Sequence, residues 1–297
     1  MSDSEAECAD WSDVVTVSDY SPTVRLRRLG HELRRLREES GQTVHDAAAA
    51  LECSSSKISR LENGLTKRPD VHHVRRLCEI YGVTSRSLID ALVELAREAK
   101  KRGWWAAYSD VLTGSYVGLE AEASSIRNFE LALIPGLLQT PEYAAEIIRA
   151  GGVRDPREVE RRVAARMERQ QLLLRDSPPQ LWAVIDEAAL FRPVGSRKVR
   201  EAQLRKLVDT SPLHHVKLQI LPFSAGPHAG LSGQFVILDF PSAVDRSVVY
   251  VETPTDGLYL EEDEQLKRYT LMFQYLCASA LSVEASIAYL SNLIDKL

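Results

Sequence analysis

Leucine recurs at Leu26, Leu29, Leu33 and Leu36, with arginines on the flanks. Spacing of three and four residues puts those leucines on one helical face, so the pattern predicts a helix over 24–40, ended by Gly41. Thr43 is placed to cap a second run over 44–51, and Asp46 three positions on completes an approximate capping box. Ala48 falls where two helices must cross closely, and a larger side chain there would push them apart. A third helix starts at Ser54: Ile58 and Leu61 form its buried stripe, while Ser55, Ser56, Lys57, Ser59 and Arg60 stay outside. Asn63-Gly64 tolerates the left-handed turn that ends it, and Pro69 forbids an early restart. Asp70 caps a fourth helix with Val71, Val74, Leu77, Cys78 and Tyr81 inward, and Gly82 stops it. Thr84 opens a fifth, with Leu88, Ile89, Leu92, Leu95 and Ala99 in register. Five helices with short connections predict an all-α domain over 24–100.

From Lys100 onward the texture changes. Trp104, Trp105 and Tyr108 concentrate aromatic surface at the junction. Such spacing predicts core packing, and the alternative is one wall of a small-molecule pocket. A helical start leads into a strand-like IRNFELAL, then a loop ending at Thr140, which opens another helix. The stretch 154–175 reads as a helix with Val159, Val163, Met167 and Leu174 inward and Arg161, Arg162, Arg166 and Arg169 outward. Ser177-Pro178-Pro179 breaks the chain, and LWAVIDEAAL, VKLQILPF, QFVILDF and SVVYVET follow as strand candidates. Two amphipathic helices close the chain, the second opened by Ser282 and Glu284. Strands and helices mixed without a strict alternation predict an α+β domain over 101–297, so the chain as a whole is mainly α with an α+β second half.

Charge sharpens this division. The formal net charge is −5, which by itself argues against nucleic acid. Its distribution reverses that reading: residues 1–23 carry −6 with no lysine or arginine, residues 24–90 carry +4, and the remainder −3. A positive excess confined to the helical block is the footprint that a DNA-binding face requires. The acidic stretch 1–23 reads as a disordered leader. No apolar run approaches the roughly 18 residues of a membrane span, and the acidic start lacks a signal-peptide pattern, so a cytoplasmic location with no membrane partner is expected.

Candidate chemistry in the rest is sparse. Cys8, Cys53, Cys78 and Cys277 are scattered with no paired spacing, which suggests neither a zinc site nor a disulfide framework. His72 and His73 are adjacent on a helix and point about 100° apart, a poor arrangement for one metal. Gly226, Gly230 and Gly233 fit neither dinucleotide nor P-loop spacing, and a strand follows them. Asp186-Glu187 is an acid pair or a helix cap. No His, Ser or Cys constellation stands at catalytic spacing, so neither an enzyme nor a cofactor or metal is expected. The short, polar, basic outer face of the third helix suits a major groove.

The stretch GQTVHDAAAALECSSSKISRLENGLTKRP resembles the lambda-repressor-like, Cro/cI-type (XRE) helix-turn-helix. The resemblance implies base contacts from Ser55, Ser56 and Arg60, and phosphate contacts from Lys57, Asn63, Thr66, Lys67 and Arg68. Two positions depart from the family pattern. Glu52 stands where the turn usually has glycine, so a left-handed residue there carries roughly 1 kcal/mol of strain. Val44 replaces a glutamine that often opens the first helix of the motif. Farther on, GWWAAYSDVL, YVGLEAEAS, IPGLLQTPEYA, DEAALFRPVG, LPFSAGPHAGLSGQF and VYVETPTDGLYLE are similar to the C-terminal domain of actinobacterial WhiJ-like regulators. That similarity implies a transcriptional regulator encoded beside a small protein partner, sometimes as an antitoxin with its toxin. The expected reading is a sequence-specific regulator of double-stranded DNA, acting as a homodimer at paired half-sites. Its rivals are an antitoxin-like interaction module and a metabolite sensor.

Overall fold

Leucines three and four residues apart do form the first helix. A computed structural model of the protein describes residues 24–66, 68–99, 104–112, 116–241, 245–253 and 257–297, so the leader expected over 1–23 lies outside the described residues. The N-terminal helices are α1 (Val24–Glu39), α2 (Val44–Ala50), α3 (Ser55–Glu62), α4 (Val71–Ile80) and α5 (Arg86–Glu98). Leu29, Leu33 and Leu36 of α1 meet Ala48, Ile58, Leu61, Val74, Leu77 and Leu92 in one core. The capping box at Thr43 and Asp46 is present, and Ser54 and Asp70 cap α3 and α4. Ser85, one residue later than Thr84, caps α5.

Two close approaches fix how α1 lies on α3. A Cβ at Gly30 would come within 2.4 Å of the Glu62 carbonyl oxygen, so only glycine lets the helices cross there. Seven residues along α1, Arg37 is buried and forks onto the buried Glu62 carboxylate, with Nε donating to Oε1 at 2.8 Å and Nη2 to Oε2 at 3.0 Å. Its remaining nitrogen, Nη1, donates to the Gln42 carbonyl at 2.9 Å, and Gln42 Nε2 donates to the Ile80 carbonyl at 2.9 Å. One polar chain therefore ties α1, α3 and the end of α4 together.

The second half is built on a six-stranded sheet of β1 (Ser125–Glu130), β2 (Gln180–Asp186), β3 (Val216–Leu221), β4 (Phe235–Asp239), β5 (Val248–Glu252) and β6 (Gly257–Leu260). Strand order is β3-β2-β1-β4-β5-β6. The first three strands are parallel, with Ile126 beside Leu181 and Leu181 beside Val216, and the others pair antiparallel. Helices link the parallel strands: α7 (Pro141–Ala150) and α8 (Pro156–Gln170) between β1 and β2, then α9 (Glu187–Phe191) and α10 (Arg197–Asp209) between β2 and β3. Preceding the sheet is α6 (Tyr116–Glu122), and α11 (Asp263–Ser279) and α12 (Val283–Asp295) end the chain. Leu119 of α6, Tyr143 of α7, Leu204 and Leu207 of α10 and Leu290 of α12 cover one face of the sheet. Phe273 and Leu276 of α11 cover the other, over Phe129, Val184 and Phe235. The expected architecture, helical domain then α+β domain, is the one observed. No single helix is long and apolar enough to cross a membrane among the described residues; α11 and α12 pass that test only as a pair bent by 61°.

Two expectations in this half are corrected. The helix read over 154–175 ends at Gln170, continues as a 3-10 turn, and leaves Leu174 69% exposed. Arg166 and Arg169, expected outward, turn in. Arg169 ion-pairs with Glu120, which is 1% exposed, and Tyr116 Oη donates to the same carboxylate at 2.9 Å. A buried carboxylate demands a cation, and that demand overrides helical amphipathicity.

Removing Arg37 strands the Glu62 charge in the core. Arg37→Met should cost about 3–5 kcal/mol in urea unfolding, and adding Glu62→Leu should recover most of it. A single variant as stable as the parent protein would show that the pair holds nothing.

Candidate nucleic-acid interface

Between α2 and α3 the backbone must reverse within four residues. Leu51 ends α2, Glu52 N–H donates to the Ala49 carbonyl at 3.1 Å and Cys53 N–H to the Ala48 carbonyl at 2.9 Å. This is a Schellman closure, and it needs a left-handed residue at Glu52, where φ is +52°. The same closure ends α1, α3 and α4, at Gly41, Gly64 and Gly82. Three of the four use glycine. Glu52 alone has a Cβ, and among the described residues it is the only non-glycine with positive φ.

The turn delivers α3 with Ser54 as cap, its hydroxyl accepting the Lys57 N–H at 3.3 Å. Ile58 and Leu61 are sunk in the core, and Glu62 is held by Arg37. Every other residue of the helix is exposed, so Ser55, Ser56, Lys57, Ser59 and Arg60 form one continuous outward face. Asn63 at the helix end donates from Nδ2 to Ser59 Oγ at 3.3 Å. Arg60 reaches the Leu65 carbonyl only at 3.4 Å, a weak tether that leaves most of its guanidinium donors free for another acceptor.

The residues expected at phosphates divide into two groups. Lys57, Thr66 and Arg68 line one cavity of about 210 Å³, together with Asp70 and His73. Asn63 faces away, into a larger cleft of about 510 Å³ between α1 and the second half of the chain. Lys67 lies outside the described residues. The larger cleft adds basic residues that the sequence reading did not single out: Arg27, Arg28, His31, Arg34, Arg35 and Arg246. For Arg27, Arg28, Arg34 and Arg35 the signal is arginine recurring at helical spacing along α1. Much of that charge is balanced in place, by Arg34 with Glu38, Arg35 with Glu32 and Glu39, and Arg27 with Glu261.

Other candidates go elsewhere. Trp104 and Trp105 meet edge to face at 6.1 Å, the Trp105 ring lies against Gly118 of α6, and Arg161 sits 4.8 Å over the Tyr108 ring. Asp186 caps α9 by accepting the Ala188 N–H at 2.8 Å, and it also lies 3.2 Å from His228 Nε2. Glu187 accepts the Phe223 N–H at 2.5 Å and the Tyr289 hydroxyl. The glycine-rich loop packs on the sheet, where a Cβ at Gly230 would come within 2.2 Å of the Phe129 ring. His72 is exposed, and His73 lies 3.7 Å from Asp70. Among the described residues no group of three or more His, Cys, Asp or Glu is arranged to hold a metal ion.

Two families match the chain. One, described as a helix-turn-helix domain, matches residues 28–92, which contain α2, the Glu52 turn and α3. The other, described as a domain of unknown function (DUF5753), matches residues 113–292 and so takes in the whole sheet. No curated protein and no solved structure matches.

Relief of the left-handed strain generates a direct check on the turn. Glu52→Gly should raise the free energy of unfolding by up to about 1 kcal/mol without changing the helix content. A loss of stability on that substitution would mean that the turn adopts another shape in solution.

Proposed function

The chain belongs to the family defined by the domain of unknown function DUF5753, fronted by a helix-turn-helix domain, and from that premise we propose that it is a sequence-specific DNA-binding transcriptional regulator. The observation that carries this reading is the α3 surface: five exposed polar or basic residues on a helix whose other side is locked into a core. In this reading 24–100 is the DNA-binding domain and 101–297 the regulatory or partner-binding domain. Ser55, Ser56 and Arg60 read base edges, and Arg60 is the group whose fork suits a guanine. Lys57, Asn63, Thr66, Lys67 and Arg68 hold phosphates. Two copies bind paired half-sites, since one short helix in one groove gives little discrimination. The protein works in the cytoplasm, where its promoter is, and the matched DNA-binding domain supports a regulator rather than an enzyme.

A second reading keeps the DNA-binding domain for autoregulation and makes the C-terminal domain a docking module for a small protein encoded nearby, as the likeness to WhiJ-like regulators implies. What favours it is α11, which exposes Leu271 and Tyr275 one turn apart, at 48% and 59%. Capture of the neighbouring gene product by the full chain, lost with Tyr275→Ser, would support it.

Fluorescence anisotropy on the protein's own promoter separates the two kinds of contact. Arg60→Ala should cost about 1–3 kcal/mol, concentrated at one base pair. Lys57→Ala with Arg68→Ala should weaken all duplexes alike and lower the slope of affinity against salt by roughly 2. Equal weakening on every sequence by Arg60→Ala, or an unchanged salt slope in the double variant, would contradict those assignments.

A further inference from the structure

In the second half of the chain, one cavity holds polar groups that have no evident work in the fold. Asn128 and Glu130 follow Ile126 onto one face of β1, and Asn128 lies in register with Val236 of β4, itself in register with Tyr250 of β5. Beneath α8 this face encloses a cavity of about 230 Å³, lined also by Tyr116, Arg166 and Gln139. Exposed Glu252 stands at its rim. The Tyr116 and Tyr250 rings lie 4.3 Å apart and tilted by 34°, forming an aromatic wall.

The polar inventory does not close. Asn128 is 7% exposed, its Nδ2 reaches Glu130 Oε1 at 3.5 Å, and its Oδ1 is buried with no donor. Buried acceptors are normally satisfied, so an orphan facing a cavity implies a missing donor. Arg166 gives one hydrogen bond to the neutral Gln139 Oε1, at 2.6 Å, and ion-pairs with no carboxylate among the described residues. Arg169 next to it is already neutralised by Glu120. Burial lowers the Arg166 pKa to about 10, which keeps the guanidinium charged at neutral pH. Burial also lifts the Glu130 carboxyl to about 7, against the pull of its Asn128 hydrogen bond.

The cavity therefore offers a cation without a direct ion pair, an acceptor lacking its donor and a carboxyl beside it. We propose that it binds a free α-amino acid, with the carboxylate on Arg166, the ammonium on Asn128 Oδ1 and Glu130, and the side chain along Tyr116 and Tyr250. A simple anion would satisfy Arg166 but leave Asn128 without a donor and confront Glu130. A simple amine would do the reverse. The volume falls below the roughly 300 Å³ at which drug-sized sites begin, which favours a ligand of this size. The inference stands apart from the DNA reading, because the site lies wholly within the C-terminal domain.

Isothermal titration of the full-length chain, without DNA, against each of the common protein amino acids tests it. At least one should bind, and its methyl ester and its N-acetyl derivative should each bind about tenfold more weakly or worse. Arg166→Gln should abolish binding, while Arg162→Gln one turn earlier on α8 should leave it unchanged. The ester and acetyl ligands keep the test sound even if Arg166→Gln fails to fold. Absence of binding by every amino acid at concentrations on the order of 10 mM would overturn the proposal. So would derivatives that bind as well as their parent, or a folded Arg166→Gln protein of unchanged affinity.

Discussion

The DNA-facing half of the molecule depends on one buried ion pair, Arg37 with Glu62. Helix α3 spans only Ser55–Glu62, far too short to persist alone in water. It exists because Ile58 and Leu61 enter the core and because its last residue is anchored by two charge-assisted hydrogen bonds from α1. Glycine at position 30 allows the backbone approach that places those groups in reach. With one side fixed in this way, the opposite side keeps Ser55, Ser56, Lys57, Ser59 and Arg60 in water at a constant orientation. A pair of buried charges is not itself a strong source of stability, but an error in register would leave both unpaired, so it specifies one docking of α3 on α1.

Much of this was legible in the chain. Local rules set the helix boundaries: hydroxyls and carboxylates at Thr43, Ser54 and Asp70 cap, and Gly41, Gly64 and Gly82 terminate, because these act on backbone groups a few residues away. The left-handed turn at Glu52 was marked only by the motif's resemblance, as the place where the family usually has glycine. What escaped were long-range polar couplings. Nothing near Arg37 in sequence points to Glu62, 25 residues away, and nothing near Arg169 points to Glu120, 49 residues away. Helical periodicity sent Arg166 and Arg169 to solvent, whereas the partner that draws Arg169 inward is known only once α6 packs against α8. Strand β6 was missed for a related reason: Gly257–Leu260 has four residues and half-exposed burial, and pairing with β5 rather than its own pattern makes it a strand.

The two halves solve the same problem at different scales. In the helical domain the buried charges of Arg37 and Glu62 neutralise each other, and α3 keeps Ser55, Ser56, Lys57, Ser59 and Arg60 outside. In the C-terminal domain the parallel strands β1 to β3 and the antiparallel strands β4 to β6 meet at β1 beside β4, and the cavity with the unmatched Asn128 and Arg166 lies over that seam. Arg27 with Glu261 and Arg25 with Glu122 connect α1 to the second half, so α1 supports α3 on one side and touches the sheet domain on the other.

The most direct measurement is methylation interference on the protein's own promoter, since a methyl at guanine N7 occupies the major groove edge that Arg60 is proposed to contact. Methylation at discrete guanines, repeated in two half-sites about one helical turn apart, should block binding, and one guanine in each half-site should lose that effect in Arg60→Ala. Interference spread evenly over the duplex, or none in the major groove at any position, would contradict a recognition role for α3.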